Sequence, residues 1–196
     1  MATTNATPTH NVPSTAIFVT DKCYLRPFEP SDAPALAEVC NDREIAKNLR
    51  SRFPSPYTLA DAEWWIAHCQ SLPAPAMQFG IFTLNGELAG SVGLEPPKGD
   101  AIYAGTRELG YYLARRLWGR GIMPSAVRQF VKWAFAEIPD MLRIEADVFE
   151  HNRSSARVLV KAGFVKEGVK RHVAVKDGQV ADEGVYGLTR ADLESS

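Results

Sequence analysis

The chain has 196 residues, 45% of them hydrophobic and 23% charged, with a formal net charge of −1. Its length suits one domain with a sizeable core, and its near-neutral charge excludes a general attraction to nucleic acid or to a membrane surface. Three widely spaced cysteines without a Cys-x-x-Cys pair, no signal peptide and no long apolar stretch predict a cytoplasmic protein without disulfides or a metal centre.

The N-terminal region predicts a tail followed by a strand region and a helix. Residues 1–15 are rich in Thr, Pro, Ala and Asn and lack periodicity, which is typical of a disordered tail. A single folded domain is therefore expected over 16–196. Strand formers follow over 16–28. Ser31 stands before an apolar helical pattern and is predicted to cap that helix.

Two further helices and a hairpin are predicted next. A short helix is expected over 43–49, and the spacing of Thr58 and Asp61 is that of a capping box, which begins a longer helix. Asn85-Gly86 separates two strand-like segments, and this dipeptide is a strong signal for a β-hairpin. The antiparallel strands of that hairpin are expected over 77–84 and 87–94.

The second half of the chain alternates strands and helices. Strands are predicted over 108–113, 143–149, 164–175 and 180–189, and helices over 125–138 and 153–162. Gly163 is placed as the C-cap of the second of these helices. This order predicts a mixed α+β (α/β) layer. It has antiparallel strands early, a strand-helix-strand unit in the middle and a closing hairpin.

The segment from Arg116 to Gly121 lies between a predicted strand and a predicted helix. Its two glycines let backbone amides turn toward a ligand, and the N-terminus of the following helix favours an anion. Pro124 stands where a dinucleotide fingerprint needs its third glycine, and no Lys-Ser/Thr pair follows as a Walker loop requires. The segment thus predicts an anion-binding turn, with a turn that binds nothing as the alternative.

An ordered set of short motifs supports the first interpretation. The motifs are Leu25-Arg26-Pro27, Ser31-Asp32, Glu108-x-Gly110-Tyr111, Arg116-x-x-Gly119-x-Gly121 with Trp118, Arg143-Ile144-Glu145-Ala146, Asn152-x-x-Ser155 and Lys161-x-Gly163-Phe164. Together they resemble the GNAT superfamily of acetyl-CoA-dependent N-acetyltransferases, and within it the RimJ/RimL-type branch. The resemblance covers roughly 22–193, and the order of the motifs makes it specific.

The resemblance implies a fold and a cosubstrate. The expected fold is a GNAT-like, splayed, mostly antiparallel central sheet flanked by helices, with acetyl-CoA between the strands at 108–113 and 143–149. Pantetheine would follow the backbone of the first strand, and the pyrophosphate would meet the amides of the glycine loop. The implied cofactor-binding residues are Tyr111, Tyr112, Leu113, Arg116, Leu117, Trp118, Gly119, Arg120, Gly121, Ile122, Asn152, Ser155 and Lys161.

One departure from the superfamily pattern affects the acid that would protonate the leaving thiolate. Many superfamily members carry a tyrosine for this purpose on the helix after the second central strand, and this chain has Leu159 there. Ser155, one turn earlier on the same helical face, is the better candidate, as the RimJ/RimL-type resemblance also suggests. An ordinary first-turn serine, with Asn152 as the helix N-cap, is the structural alternative.

The amine must lose a proton, which requires a carboxylate acting directly or through water. Glu108, Glu145 and Asp147 lie on or beside the two central strands, and Glu108 is the preferred base. The alternative for each is a solvated face or an ion pair with Arg107 or Arg143. A backbone N–H near the end of the first strand would stabilise the oxyanion if that strand bulges.

The function predicted from these patterns is direct transfer of an acetyl group from acetyl-CoA to a primary amine. The acceptor is a small molecule or a protein N-terminus, and the enzyme is expected as a monomer or a homodimer, without a metal and without nucleic-acid or membrane partners. A non-catalytic acyl-CoA-binding module is the main alternative, which the missing tyrosine encourages. A nucleotide-binding regulator is the third.

Overall fold

A computed structural model describes residues 12–95 and 99–194. It contains one sheet of eight strands: β1 (Phe18–Val19), β2 (Cys23–Arg26), β3 (Gln78–Thr83), β4 (Leu88–Glu95), β5 (Thr106–Leu113), β6 (Arg143–Phe149), β7 (Val165–Lys176) and β8 (Gln179–Thr189). Their spatial order is β1-β2-β3-β4-β5-β6-β8-β7. Within these described strands, β5 and β6 are parallel and every other neighbouring pair is antiparallel. The predicted mixed, mostly antiparallel sheet is confirmed.

Helices cover both faces of this sheet. They are α1 (Ala33–Cys40), α2 (Arg43–Ala46), α3 (Leu59–Ser71), α4 (Ile122–Glu137), α5 (Arg153–Ala162) and α6 (Arg190–Glu194). The larger hydrophobic cluster joins the sheet to α4 and α5, with Phe130 and Leu159 fully buried. The smaller cluster joins the sheet to α1 and α3 through Leu36 and Ile66. The two faces of the sheet are therefore distinct layers.

The elements nearest the central strands follow the predicted bounds closely. β6 and α5 begin and end at the predicted residues, and Gly163 is the left-handed C-cap of α5. The capping box of Thr58 and Asp61 is present at the start of α3. The helix predicted from 125 begins three residues earlier, at Ile122, because Pro124 is tolerated in a first helical turn.

The turn before α1 differs from the prediction for Ser31. A short 3-10 turn over Pro30–Asp32 precedes the helix, and Glu29 caps that turn in a reciprocal pair with Asp32. Asp32 is nearly buried and also accepts two hydrogen bonds of 2.7 Å from the Arg26 guanidinium. Ser31 was wrongly predicted as the cap, because the buried bidentate pair fixes the turn through its neighbour.

The described part of the predicted tail is held against the domain. Val12 is half-buried against the smaller cluster, and the Ala16 amide donates to the Pro13 carbonyl at 3.1 Å. Residues 1–11 of the predicted tail lie outside the described residues. The boundary at residue 15 stays a prediction. In the described part of the chain, no helix combines the length and apolar character needed to cross a membrane.

Gly90 of β4 lets β5 approach closely at the point where β5 enters the glycine loop. A Cβ added at Gly90 would clash with the Tyr112 carbonyl oxygen and lie 3.0 Å from the Leu113 Cα. Both contacts are with backbone, which cannot rotate away as a flexible side chain could. The register from Gly90 to Glu95 against β5 is accordingly unbroken.

Gly90→Ala is therefore expected to lower the free energy of unfolding by about 2 kcal/mol, because the clash displaces the β5 backbone. Gly110→Ala is the matched control, since it adds the same methyl group in a neighbouring strand where nothing lies within 4 Å. Urea titration of both variants measures the difference. Equal stabilities would show that β4 and β5 separate without cost.

Candidate active site

The two central strands part from each other halfway along their length. β5 and β6 are paired from Thr106 opposite Arg143 to Glu108 opposite Glu145, and no pairing follows over the described remainder of either strand. Beyond Glu108 a gap opens between the strands. This divergence is the splayed sheet that the resemblance implied, and it leaves backbone groups of both strands without a sheet partner.

Strand alternation shows which backbone groups of β5 face the gap. The Ala114 amide donates to Ala89 of β4 at 2.7 Å, and N–H directions alternate along a strand. Tyr111 and Leu113 therefore present their amides to the gap, whereas Tyr112 faces β4. No bulge interrupts the described β4–β5 register, so the bulge considered for the oxyanion site is absent. Divergence of the strands exposes these N–H groups instead.

The glycine loop ends in the N-terminus of a long helix. Gly119 and Gly121 both have φ of +76°, in the left-handed region that favours glycine. Within the described residues no side chain caps α4 at Gly121, and Pro124 has no N–H. The amides of Ile122 and Met123 thus lie at the positive end of a sixteen-residue helix, which is a favourable place for a phosphate.

Two cations near this loop have surroundings that the sequence alone does not show. The Arg116 guanidinium is held by the β3–β4 hairpin, with Nε 2.7 Å from Glu87 Oε1 and Nη2 3.5 Å from the Leu88 carbonyl. Its side chain is therefore already paired with an acid of that hairpin. Lys22, from the turn between β1 and β2, lies instead beside Gly121, with Cε 3.4 Å from the position of an added Cβ.

Ser155 lies at the start of α5 and meets a side chain from the opposite wall of the gap. Asn152 caps the helix, because its Oδ1 accepts from the Ser155 amide at 3.2 Å. The Ser155 Oγ lies 2.7 Å from the Tyr111 hydroxyl of β5, which is also 3.1 Å from the Ser155 carbonyl oxygen. Asn152 thus has the capping role expected of it, and α5 is joined to β5 across the gap.

Two other residues of α5, Leu159 and Lys161, contribute to the packing of this helix. Leu159, at the register where many superfamily members have tyrosine, is fully buried in the larger cluster. The Lys161 carbonyl accepts from the Arg128 guanidinium, with Nε at 3.2 Å, and thereby joins α5 to α4. The Lys161 side chain itself is exposed.

The candidate carboxylates lie on the sheet face opposite α4 and α5. Glu108 is half-buried and forms an ion pair with Arg50, which follows α2. Glu145 lies 3.7 Å from Arg143 and is more exposed, so the predicted alternative of an ion pair with Arg143 is realised there. For Glu108 one ionic partner is Arg50, and the Arg107 guanidinium donates to the Ala104 carbonyl at 2.7 Å. Glu108 is the last described residue of β5 that pairs with β6 before the two strands diverge.

More charge surrounds the gap on this face of the sheet, opposite α4 and α5. The Asp147 carboxylate accepts from the Lys170 ammonium at 2.7 Å, and this hydrogen bond raises the pKa of Lys170. Burial, together with the Asp147 charge, raises the pKa of Glu183 on β8. The described face therefore combines several acids with partly compensating bases. Among the residues that the structure describes, no group of His, Cys, Asp and Glu could hold a metal ion.

Three contributors to this region carried no signal in the sequence. Arg50 and Lys22 belong to irregular segments and reach the site only through the fold. The resemblance implies only a backbone role for Tyr111 and does not point to its hydroxyl. Contacts separated by 44 residues for Tyr111 and 58 for Arg50 cannot be read from local spacing.

The family model for the acetyltransferase (GNAT) domain matches residues 22–165 of the chain. The chain belongs to the GNAT family. It is 41% identical over 176 residues to the probable N-acetyltransferase YjcK of Bacillus subtilis, covering 87% of this chain and 96% of that protein. The predicted GNAT resemblance is confirmed, and this GNAT protein is an acetyl-CoA-dependent N-acetyltransferase.

Solved structures show the same fold. The ribosomal-protein-S5-alanine acetyltransferase of Vibrio fischeri has a TM-score of 0.77 at 24% identity, over 89% of this chain and 97% of that one. RimJ of Mycobacterium smegmatis, solved in complex with a CoA disulfide, has a TM-score of 0.75 at 21% identity, over 87% and 83% of the two chains. These likenesses show that the chain has the same fold as these acetyltransferases.

Proposed function

We propose that this acetyltransferase passes the acetyl group directly to a primary amine that enters the gap from the face of α1 and α3. The observation that carries the proposal is the position of the gap. Glu108 lies on one face of the sheet at the point of divergence, whereas Ser155 lies at the start of a helix on the other face. A thioester in the gap would have a base on its acceptor side and a hydroxyl on its thiol side.

The proposed contacts with acetyl-CoA are mainly made by backbone groups. Pantetheine would bind the free amides of Tyr111 and Leu113, and the pyrophosphate would bind the loop from Arg116 to Gly121 and the first turn of α4. Trp118 supports the turn, because its Nε1 donates to the Leu113 carbonyl at 2.8 Å. Loop residues Leu117 and Arg120, with Asn152 and Lys161 from the α5 region, complete the proposed contacts.

The chemistry follows from the two sides of the gap. The amine nitrogen attacks the thioester carbonyl carbon, the C–S bond breaks, and the nitrogen loses one proton while the sulfur gains one. Glu108, directly or through water, receives the proton from the amine. The backbone N–H groups along β5 stabilise the oxyanion. Ser155 passes a proton to the departing sulfur and regains one from solvent, and Glu108 releases the proton of the amine to solvent.

Glu108 and Glu145 can be told apart as bases by amide substitution. They occupy paired positions on one face, and Glu145→Gln is therefore the matched comparison for Glu108→Gln. The proposal expects the larger fall in kcat for Glu108→Gln. The reverse order would assign the base to Glu145.

The acceptor is a small molecule or a protein N-terminus. A panel of polyamines, aminosugars, amino acids and N-terminal peptides, read by thiol release and by mass spectrometry of the product, tests this class. Amine-dependent thiol release is the expected result. CoA binding without release for any amine would favour an acyl-CoA-binding module. A cytoplasmic location belongs to the proposal, since Cys23, Cys40 and Cys69 are free and buried.

Lys22 is expected to strengthen binding of the CoA phosphates, because its side chain lies beside Gly121 at the start of α4. Lys22→Ala should raise the Kd for CoA by about 5-fold, the size of one solvent-exposed charge contact. Isothermal titration at low and at moderate salt measures the effect, which should shrink as salt increases. Lys47→Ala, which removes an exposed lysine of the Glu44 ion pair, is the control. An unchanged Kd in Lys22→Ala would exclude this contact.

A further inference from the structure

Tyr111 reaches across the gap between the strands with its side chain. It is carried by β5, and its hydroxyl meets Ser155 of α5 at 2.7 Å from Oγ and 3.1 Å from the carbonyl oxygen. Because the phenol carries one hydrogen, it donates to one of these two oxygens at a time. Both contacts keep the phenol oxygen beside the Ser155 hydroxyl at the start of α5.

The surroundings keep this phenol neutral. Its ring packs against the larger hydrophobic cluster, on the same face as Leu109 and Leu113. Burial raises the pKa of the Tyr111 hydroxyl above its ordinary value, since a buried phenolate is poorly solvated. At neutral pH the group therefore keeps its hydrogen and acts as a hydrogen-bond donor rather than as a source of protons.

We propose that Tyr111 is a positioning residue that directs the Ser155 hydroxyl toward the leaving sulfur. The inference rests on the proposed function, because it assumes that Ser155 faces the thioester. When the phenol donates to Oγ, the Ser155 hydrogen is left to point at the sulfur. The proton that the thiol finally carries balances the one lost by the amine, so Tyr111 undergoes no net change.

The residue at position 159 differs from the one that many superfamily members have there. A fully buried leucine stands at the register where many superfamily members carry a helix-borne tyrosine. In this chain a phenol arrives from the strand wall instead and ends one helical turn earlier, at Ser155. A serine hydroxyl alone is poorly oriented, because it rotates freely unless a partner fixes it.

Tyr111→Phe tests the inference, since it removes the hydroxyl and keeps the ring. It is expected to lower kcat by about 10-fold, the equivalent of one net hydrogen bond, without changing KM for acetyl-CoA. Combined with Ser155→Ala it should add no further loss, because the phenol acts only through Ser155. Tyr24→Phe, a buried strand tyrosine stacked on Phe82, is the matched control and should keep the wild-type kcat.

The outcomes separate the inference from the function on which it rests. A full rate in Tyr111→Phe together with a slow Ser155→Ala would overturn the positioning role and leave the proposed function intact. Multiplied losses in the double variant would also overturn it, since the two residues would then act independently. A full rate in Ser155→Ala would remove the positioning role and the proposed role of Ser155 together, whereas transfer of acetyl to the amine would stand. Thermal unfolding of each variant shows whether a lost rate reflects a lost fold.

Discussion

Ser155→Ala is expected to lower kcat for acetyl transfer by about 100-fold, at the lower end of what a positioned proton-transfer group contributes. The hydroxyl lies at the start of α5, held 2.7 Å from the Tyr111 phenol, where a thiolate would leave. Affinity for CoA should be unchanged, because the main binding groups are backbone amides. Steady-state kinetics with saturating amine, alongside isothermal titration with CoA, measures both quantities.

Ser154→Ala is the control for this prediction. Ser154 is the preceding residue of the same helix, but it is exposed, and its Oγ accepts from Arg157 at 3.2 Å. Its loss should leave kcat unchanged. If the two alanine variants transfer acetyl at the same rate, Ser155 has no part in the chemistry, and protonation of sulfur must be assigned to solvent.

Gly119→Glu is expected to raise the Kd for CoA by about 100-fold. Gly119 has φ of +76°, which a residue with a Cβ adopts only at a cost of about 1–3 kcal/mol. The substitution also brings a carboxylate to the loop that would bind a diphosphate, where it repels the ligand. Isothermal titration with CoA is the direct measurement.

Gly178→Glu separates the charge from the backbone strain. Gly178, in the turn between β7 and β8, has φ of +78°, and as at Gly119 an added Cβ meets nothing within 4 Å. The two variants carry the same strain and the same charge at different places. Gly178→Glu should bind CoA normally. Equal affinities in both variants would remove the glycine loop from the binding site.

The regular elements around the site could be predicted because their signals are local. Asn152 and Gly163 mark the two ends of α5, and the alternation over Arg143–Phe149 defines β6. The glycine pair located the loop, and both glycines are left-handed. Capping groups and alternating burial act within a few residues, so the sequence contains the information directly.

The parts that escaped prediction depend on distant segments. The sequence suggests that Arg116 is available to bind a phosphate. In the structure, Glu87 of the β3–β4 hairpin accepts a hydrogen bond from its guanidinium. Ser31 is an exception, because Arg26 and Asp32 are only six residues apart, but the burial that makes their pairing decisive comes from the fold. The Tyr111 hydroxyl finds Ser155 only because β5 and α5 meet at the gap. Such contacts follow from tertiary packing rather than from residue spacing.

A crystal of the protein soaked with acetyl-CoA would show directly where the cosubstrate binds. We expect a diphosphate bound by the amides from Gly119 to Ile122 and a thioester between β5 and β6, with its sulfur near Ser155. Acetyl-CoA bound elsewhere, with the loop filled by the protein's own side chains and the gap empty, would contradict the account.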